Sequence, residues 1–157
     1  MKTIFLLRHA KADKSLINDM GRDLSGKGQR QAESIGQWMS ENGIMPDWII
    51  CSPAKRAKST AKICSGRIGY QRRIRFEESL YDAGSDTYLD ILAALNNKYD
   101  SVMMVGHNPA ISALVTILTD IQLDMSPCML VCIEIALDEW RSVKDASGAL
   151  KWFQIPL

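Results

Sequence analysis

The chain has 157 residues, 46% hydrophobic and 24% charged, a balance that fits a soluble globular protein with one sizeable core. Its formal net charge of +1 gives the molecule as a whole no electrostatic reason to seek nucleic acid or an anionic membrane, so an anion site has to be local. No apolar stretch approaches the ~20 residues that span a bilayer, and Arg8 breaks the run Thr3–Leu7 too early for a secretory signal core. We expect one cytoplasmic domain over residues 1–157 with no nucleic-acid or membrane partner.

Thr3–Leu7 is a short continuous apolar run, the pattern of a strand buried on both faces of a parallel sheet. Lys11 to Arg22 is polar, with Asp13, Asn18, Asp19 and Gly21, and reads as a loop. Ser25 then caps a helix that runs to about Asn42 and ends at Gly43, with Ala32, Ile35 and Met39 on its inner face. Trp48–Cys51 is a second strand. Ser52-Pro53 opens a second helix as cap and first-turn proline, and Ala57, Ala61 and Cys64 line its inner face.

Arg72–Phe76 is a short edge strand. Ser85 caps a third helix whose Tyr88, Leu92 and Leu95 face the core. Ser101–Val105 is a strand, Asn108-Pro109 repeats the cap-plus-proline start of a helix to about Thr119, and Met129–Leu137 and Leu150–Ile155 are further strands. Strands alternating with helices imply an α/β three-layer sandwich on a mostly parallel sheet.

Cys51, Cys64, Cys128 and Cys132 have no paired metal spacing, so we expect buried, reduced thiols and no metal or other cofactor. Arg67, Arg72, Arg73 and Arg75 read as a solvated loop. The four tryptophans read as core or rim packing.

Sites in such sheets form beyond the carboxyl ends of the strands. Three of those ends carry chemistry here: Arg8-His9, Ser52-Pro53-Ala54-Lys55-Arg56 and Gly106-His107-Asn108-Pro109. Arg8 and Arg56 can each fork onto phosphoryl oxygens, and helix N-termini add N–H donors. Of the two histidines, one has to be neutral to attack phosphorus, while its neighbour gains from carrying charge beside a phosphate dianion.

These residues also carry a resemblance. Leu7-Arg8-His9-Ala10-Lys11-Ala12 resembles the nucleophile motif of the histidine phosphatase superfamily, with Ala10 where the family has glycine. Ser52 to Ala61 resembles its second motif, with Arg56 and a Thr60-Ala61 pair, and Val105 to Pro109 resembles the segment around its second histidine. Arg22 to Ala32 is similar to the segment that opens the family's first helix. The four matches occur in the family's order, and the R-H-A-K-A form with the short chain looks like the SixA-type branch of phosphohistidine phosphatases.

The resemblance implies a phosphoglycerate mutase-like fold without a large cap insertion. It also implies metal-independent hydrolysis through phosphorylated His9, with Arg8, Arg56 and His107 as the phosphate pocket. The implied substrate is phosphohistidine on a partner protein such as a phosphotransfer domain. The alternatives are a small phosphorylated metabolite as substrate, or a phosphate-binding regulatory module without turnover. Asn108 stands where one large branch has aspartate, and Glu78 is the candidate general acid in a region that matches no family motif cleanly. A phosphoramidate leaving group that carries its own proton needs less help from an acid than an alkoxide does.

Overall fold

The computed structural model describes residues 1–14 and 18–157. Six strands form one sheet: β1 (Lys2–Arg8), β2 (Trp48–Cys51), β3 (Arg75–Phe76), β4 (Ser101–Gly106), β5 (Leu130–Ile135) and β6 (Gly148–Gln154). Their order is β3-β2-β4-β1-β5-β6. The first four of these run parallel, and β5 and β6 are antiparallel to their neighbours. The sheet is therefore mostly parallel, as the alternating pattern implies.

Four helices cover it: α1 (Gly26–Glu41), α2 (Lys55–Ile68), α3 (Ser85–Ala93) and α4 (Ala110–Thr119). Successive residues of a strand point to opposite faces, and both faces are dry. Ile4, Leu6, Val102, Met104, Val131 and Ile133 pack with Tyr88, Leu92, Ile111 and Leu114 of α3 and α4. Phe5, Leu7, Ile49, Met103, Val105 and Leu130 pack with Ala32, Ile35 and Met39 of α1 and Ala57, Ala61 and Cys64 of α2. That is the three-layer sandwich, and it explains why β1 and β4 read as unbroken apolar runs. Among the described residues no large insertion covers the strand ends.

Three helix starts differ from expectation. Helix α2 begins at Lys55 with Ala54 at the cap position, not at Ser52-Pro53. The Ser52 hydroxyl accepts from the Ala54 N–H and is shared with His107, so the segment closes a tight turn before the helix begins. Helix α4 begins at Ala110, after a cis Asn108–Pro109 bond, because the Asn108 side chain is engaged with Met125 and Ser112. Ser85 is the first residue of α3, with Gly84 at its cap. By contrast, Ser25 caps α1 through the Gly28 N–H, and Gly43 (φ 66) follows the helix end. The predicted Arg72–Phe76 strand shortens to the two edge residues of β3. Within the predicted loop Lys11–Arg22, residues 15–17 lie outside the described residues, and Asp19–Gly21 forms a single 3-10 turn. All four cysteines are buried and free.

Candidate active site

β4 sits between β1 and β2, so their carboxyl ends are adjacent. Arg8 pairs with Gly106 and Cys51 with Val105. The ladder continues one residue further at each seam: the His9 N–H donates to the Gly106 carbonyl, and the Ser52 N–H to that of Val105. This topology brings together three sequence segments that lie some fifty residues apart, as a crevice outside parallel strand ends requires.

His9 is fixed by its neighbours. Its Nδ1 lies 2.7 Å from the Ala10 carbonyl oxygen. A carbonyl only accepts, so Nδ1 carries the proton, and in the neutral ring Nε2 is left with a bare lone pair. Burial pushes the imidazole down to about 4, and the positive charges of Arg56, Arg8 and Arg22 push the same way against the Ala10 bond. The turn that holds Ala10 is itself pinned, since its N–H donates to Thr60 Oγ1 (3.0 Å), whose hydroxyl in turn donates to the Arg56 carbonyl. Behind His9, the N–H of Cys128 (φ 61) reaches the carbonyls of both Arg8 and His9 at 3.1 Å.

The His107 ring lies beside His9, with centroids 5.2 Å apart. Its backbone N–H donates to the Tyr88 hydroxyl (3.1 Å), and its Nε2 is 2.7 Å from Ser52 Oγ. Burial, then His9 and Arg56, lowers its pKa to about 4. Both imidazoles are therefore neutral at pH 7 on their own. An anion between the rings would favour the charged form of His107 that the sequence anticipates.

Arg8 and Arg56 hold the cationic side. Arg8 Nη1 donates to the Met125 carbonyl (2.8 Å), while its Nε is buried with no partner among the described residues. Arg56 is nearly buried. Its Nη1 donates to the Asp19 carbonyl (2.8 Å) and its Nη2 to Asp19 Oδ2 (3.1 Å). The structure thus gathers Arg8, His9, Arg56 and His107 at the carboxyl ends of the central strands.

Glu78 stands apart. It is exposed in the single 3-10 turn Glu78–Leu80, and the carboxylates lining the cleft beside His107 are Asp19 and Asp82. Asn108 cannot donate an acid proton, and its amide is committed elsewhere: Nδ2 donates to the same Met125 carbonyl that holds Arg8, and Oδ1 accepts from Ser112. Sequence reasoning missed Asp19 and Tyr81. The Tyr81 hydroxyl donates to Asp19 Oδ2 (2.6 Å), and the Arg22 guanidinium pairs with Oδ1 (3.2 Å). The Tyr81 bond and the Arg56 charge hold the Asp19 carboxyl down to about 2. The only sequence signal was the Asp19–Arg22 spacing of three, which is common in loops and does not point to Arg56. Among the described residues no group of three or more His, Cys, Asp or Glu side chains is placed to hold a metal ion.

Residues 4–86 match the family model described as histidine phosphatase superfamily (branch 1). The chain belongs to the histidine phosphatase superfamily. Consistent with this, it is 31% identical to an uncharacterised protein of Mycobacterium leprae over 118 residues, 72% of this chain and 71% of that one. It is 29% identical to a phosphohistidine phosphatase SixA homolog of Haemophilus influenzae over 123 residues, 71% of this chain and 74% of that one. A solved structure from Nakamurella multipartitia, assigned to SixA phosphohistidine phosphatases, superposes with a TM-score of 0.87 at 26% identity, covering 99% of this chain and 96% of that one. Membership and site together make this superfamily protein a phosphatase.

Proposed function

We propose that residues 1–157 act as one metal-independent phosphatase domain in which His9 is the nucleophile and phosphohistidine on a partner protein is the substrate. The observation that carries this reading is the His9 Nδ1 bond to Ala10. It presents an unprotonated Nε2 beside two arginines and a second histidine. In the first step the His9 Nε2–P bond forms as the P–N bond of the substrate breaks, and the electron pair returns to the leaving ring nitrogen. Arg8 and Arg56 stabilise charge on the equatorial oxygens, the main lever in phosphoryl transfer. His9 becomes a phosphoimidazolium whose Nδ1–H stays on Ala10. Water then attacks phosphorus, the Nε2–P bond breaks with its electron pair returning to Nε2, and phosphate leaves with the water oxygen while the water's protons pass to phosphate and solvent.

The open strand ends support a protein substrate, because nothing among the described residues roofs the site against a folded surface such as a phosphotransfer domain. Four buried, reduced thiols support a cytoplasmic setting. No helix among the described residues is long and apolar enough to cross a membrane. A substrate panel tests the assignment. A phosphohistidine-bearing protein is expected to turn over with a higher kcat/KM than small alkyl phosphates. Faster turnover of a small ester would overturn the substrate class and favour a metabolite phosphatase.

A further inference from the structure

Asp19 faces the same cleft as His107. It lines, together with Arg56, Tyr81, Asp82, His107 and Asn108, a cleft of about 140 Å³ beside one ring of the histidine pair. In-line attack by His9 puts the leaving atom across phosphorus from His9 Nε2. Arg56 holds one edge of the phosphate pocket and is itself held by Asp19, so the carboxylate lies next to the pocket. Resting on the proposed phosphohistidine chemistry, we infer that Asp19 is a specificity-determining residue that receives the protonated imidazole of a phosphohistidine substrate through a hydrogen bond from its second ring nitrogen.

The chemistry behind this is one of leaving groups. A neutral phosphoimidazole would have to depart as an imidazolate, whereas the ring protonated on its other nitrogen departs as neutral imidazole. A carboxylate accepting that N–H favours the protonated, competent form and orients it. The proton stays on the leaving ring while the P–N electron pair passes to the other nitrogen, so no acid has to donate. An alkyl phosphate places opposite demands on the same spot. It carries the same dianionic phosphoryl group with no ring cation to offset it, and it needs a proton for its alkoxide that Asp19, ionised down to about 2, cannot supply.

Asp19 has capacity for this bond. Oδ1 accepts from Arg22 and Oδ2 from Arg56 and Tyr81, three of the roughly four lone-pair directions a carboxylate offers, and the side chain is half exposed. The charged and titratable groups facing it are Arg22 from its own turn, Arg56 from α2, Tyr81 and Asp82 from the segment before α3, and His107 from the end of β4.

The test is Asp19→Asn, which keeps an oxygen for Arg56 and Tyr81 and removes the charge. The probes are a histidine peptide phosphorylated chemically on its ring and p-nitrophenyl phosphate, whose phenolate leaves without a proton. The ratio of kcat/KM values, phosphohistidine over ester, is expected to fall about tenfold at pH 7.5, the factor for one charge-assisted hydrogen bond. The deficit is expected to shrink as pH drops and solvent protonates the peptide ring instead. An equal loss on both probes at every pH would make Asp19 a support for Arg56 alone and overturn the inference. Wild-type inactivity toward the phosphopeptide, with the ester still hydrolysed, would overturn the phosphohistidine reading as well. Wild-type activity with an unchanged ratio would overturn only the role of Asp19.

Discussion

Acidification from pH 7 to pH 4 should protonate His9 and His107 far later than exposed imidazoles. The chain contains two histidines, so a proton NMR titration follows both rings in one spectrum. An ordinary imidazole titrates near 6.5, and each of these is held down to about 4, chiefly by burial. Such a depression corresponds to roughly 3 kcal/mol of resistance to charging in the folded state. Because the rings face each other at 5.2 Å, the two midpoints belong to the pair. The folded value lies below the unfolded one, so between pH 6.5 and about 4 the unfolded chain binds more protons than the native one. The stabilisation is complete above pH 6.5 and is lost as pH falls through that window. Urea unfolding at pH 7, 5.5 and 4.5 should therefore show a falling midpoint across the series. Inorganic phosphate should move the His107 midpoint upward, since a dianion between the rings favours its charged form. Midpoints near 6.5 for both rings, unmoved by phosphate, would refute the geometry of a desolvated pair flanked by arginines.

Two substitutions test the scaffold around that pair. Ser52→Ala removes the group beside His107 Nε2 and the acceptor of the Ala54 N–H, and should lower kcat/KM by about tenfold with a stability loss of about 1 kcal/mol, read by steady-state kinetics and urea melts. Gly28→Ala would set a Cβ 1.9 Å from the backbone oxygen of Lys11, one residue after the carbonyl that holds His9, so unfolding should become easier by about 1–3 kcal/mol and turnover should fall with it.

Strand content was readable from the sequence because β1 and β4 are buried on both faces and show it as continuous apolar runs. Inner helix faces were readable for the same reason, as Ala32, Ile35 and Met39 show. Helix starts were less legible, because Ser52 and Asn108 look like caps yet spend their side chains on long-range partners, His107 across 55 residues and Met125 across 17. The motifs supplied Arg8, His9, Arg56 and His107, since each abuts a strand end or the turn after it. Asp19 and Tyr81 were invisible because their importance lies in a contact across 62 residues between two polar loops, where no periodicity marks one position from the next. Likewise the tautomer of His9 depends on a carbonyl, which every residue has and no sequence pattern advertises.

The proposed chemistry turns on His9 carrying the phosphoryl group. The most direct measurement is a rapid alkaline quench during turnover, followed by mass spectrometry of the histidine peptides, because a P–N bond survives alkali. Phosphate is expected on His9 and none on His107, with the signal absent from His9→Ala. Confirmed turnover with no label on His9, or label on His107 instead, would contradict that chemistry.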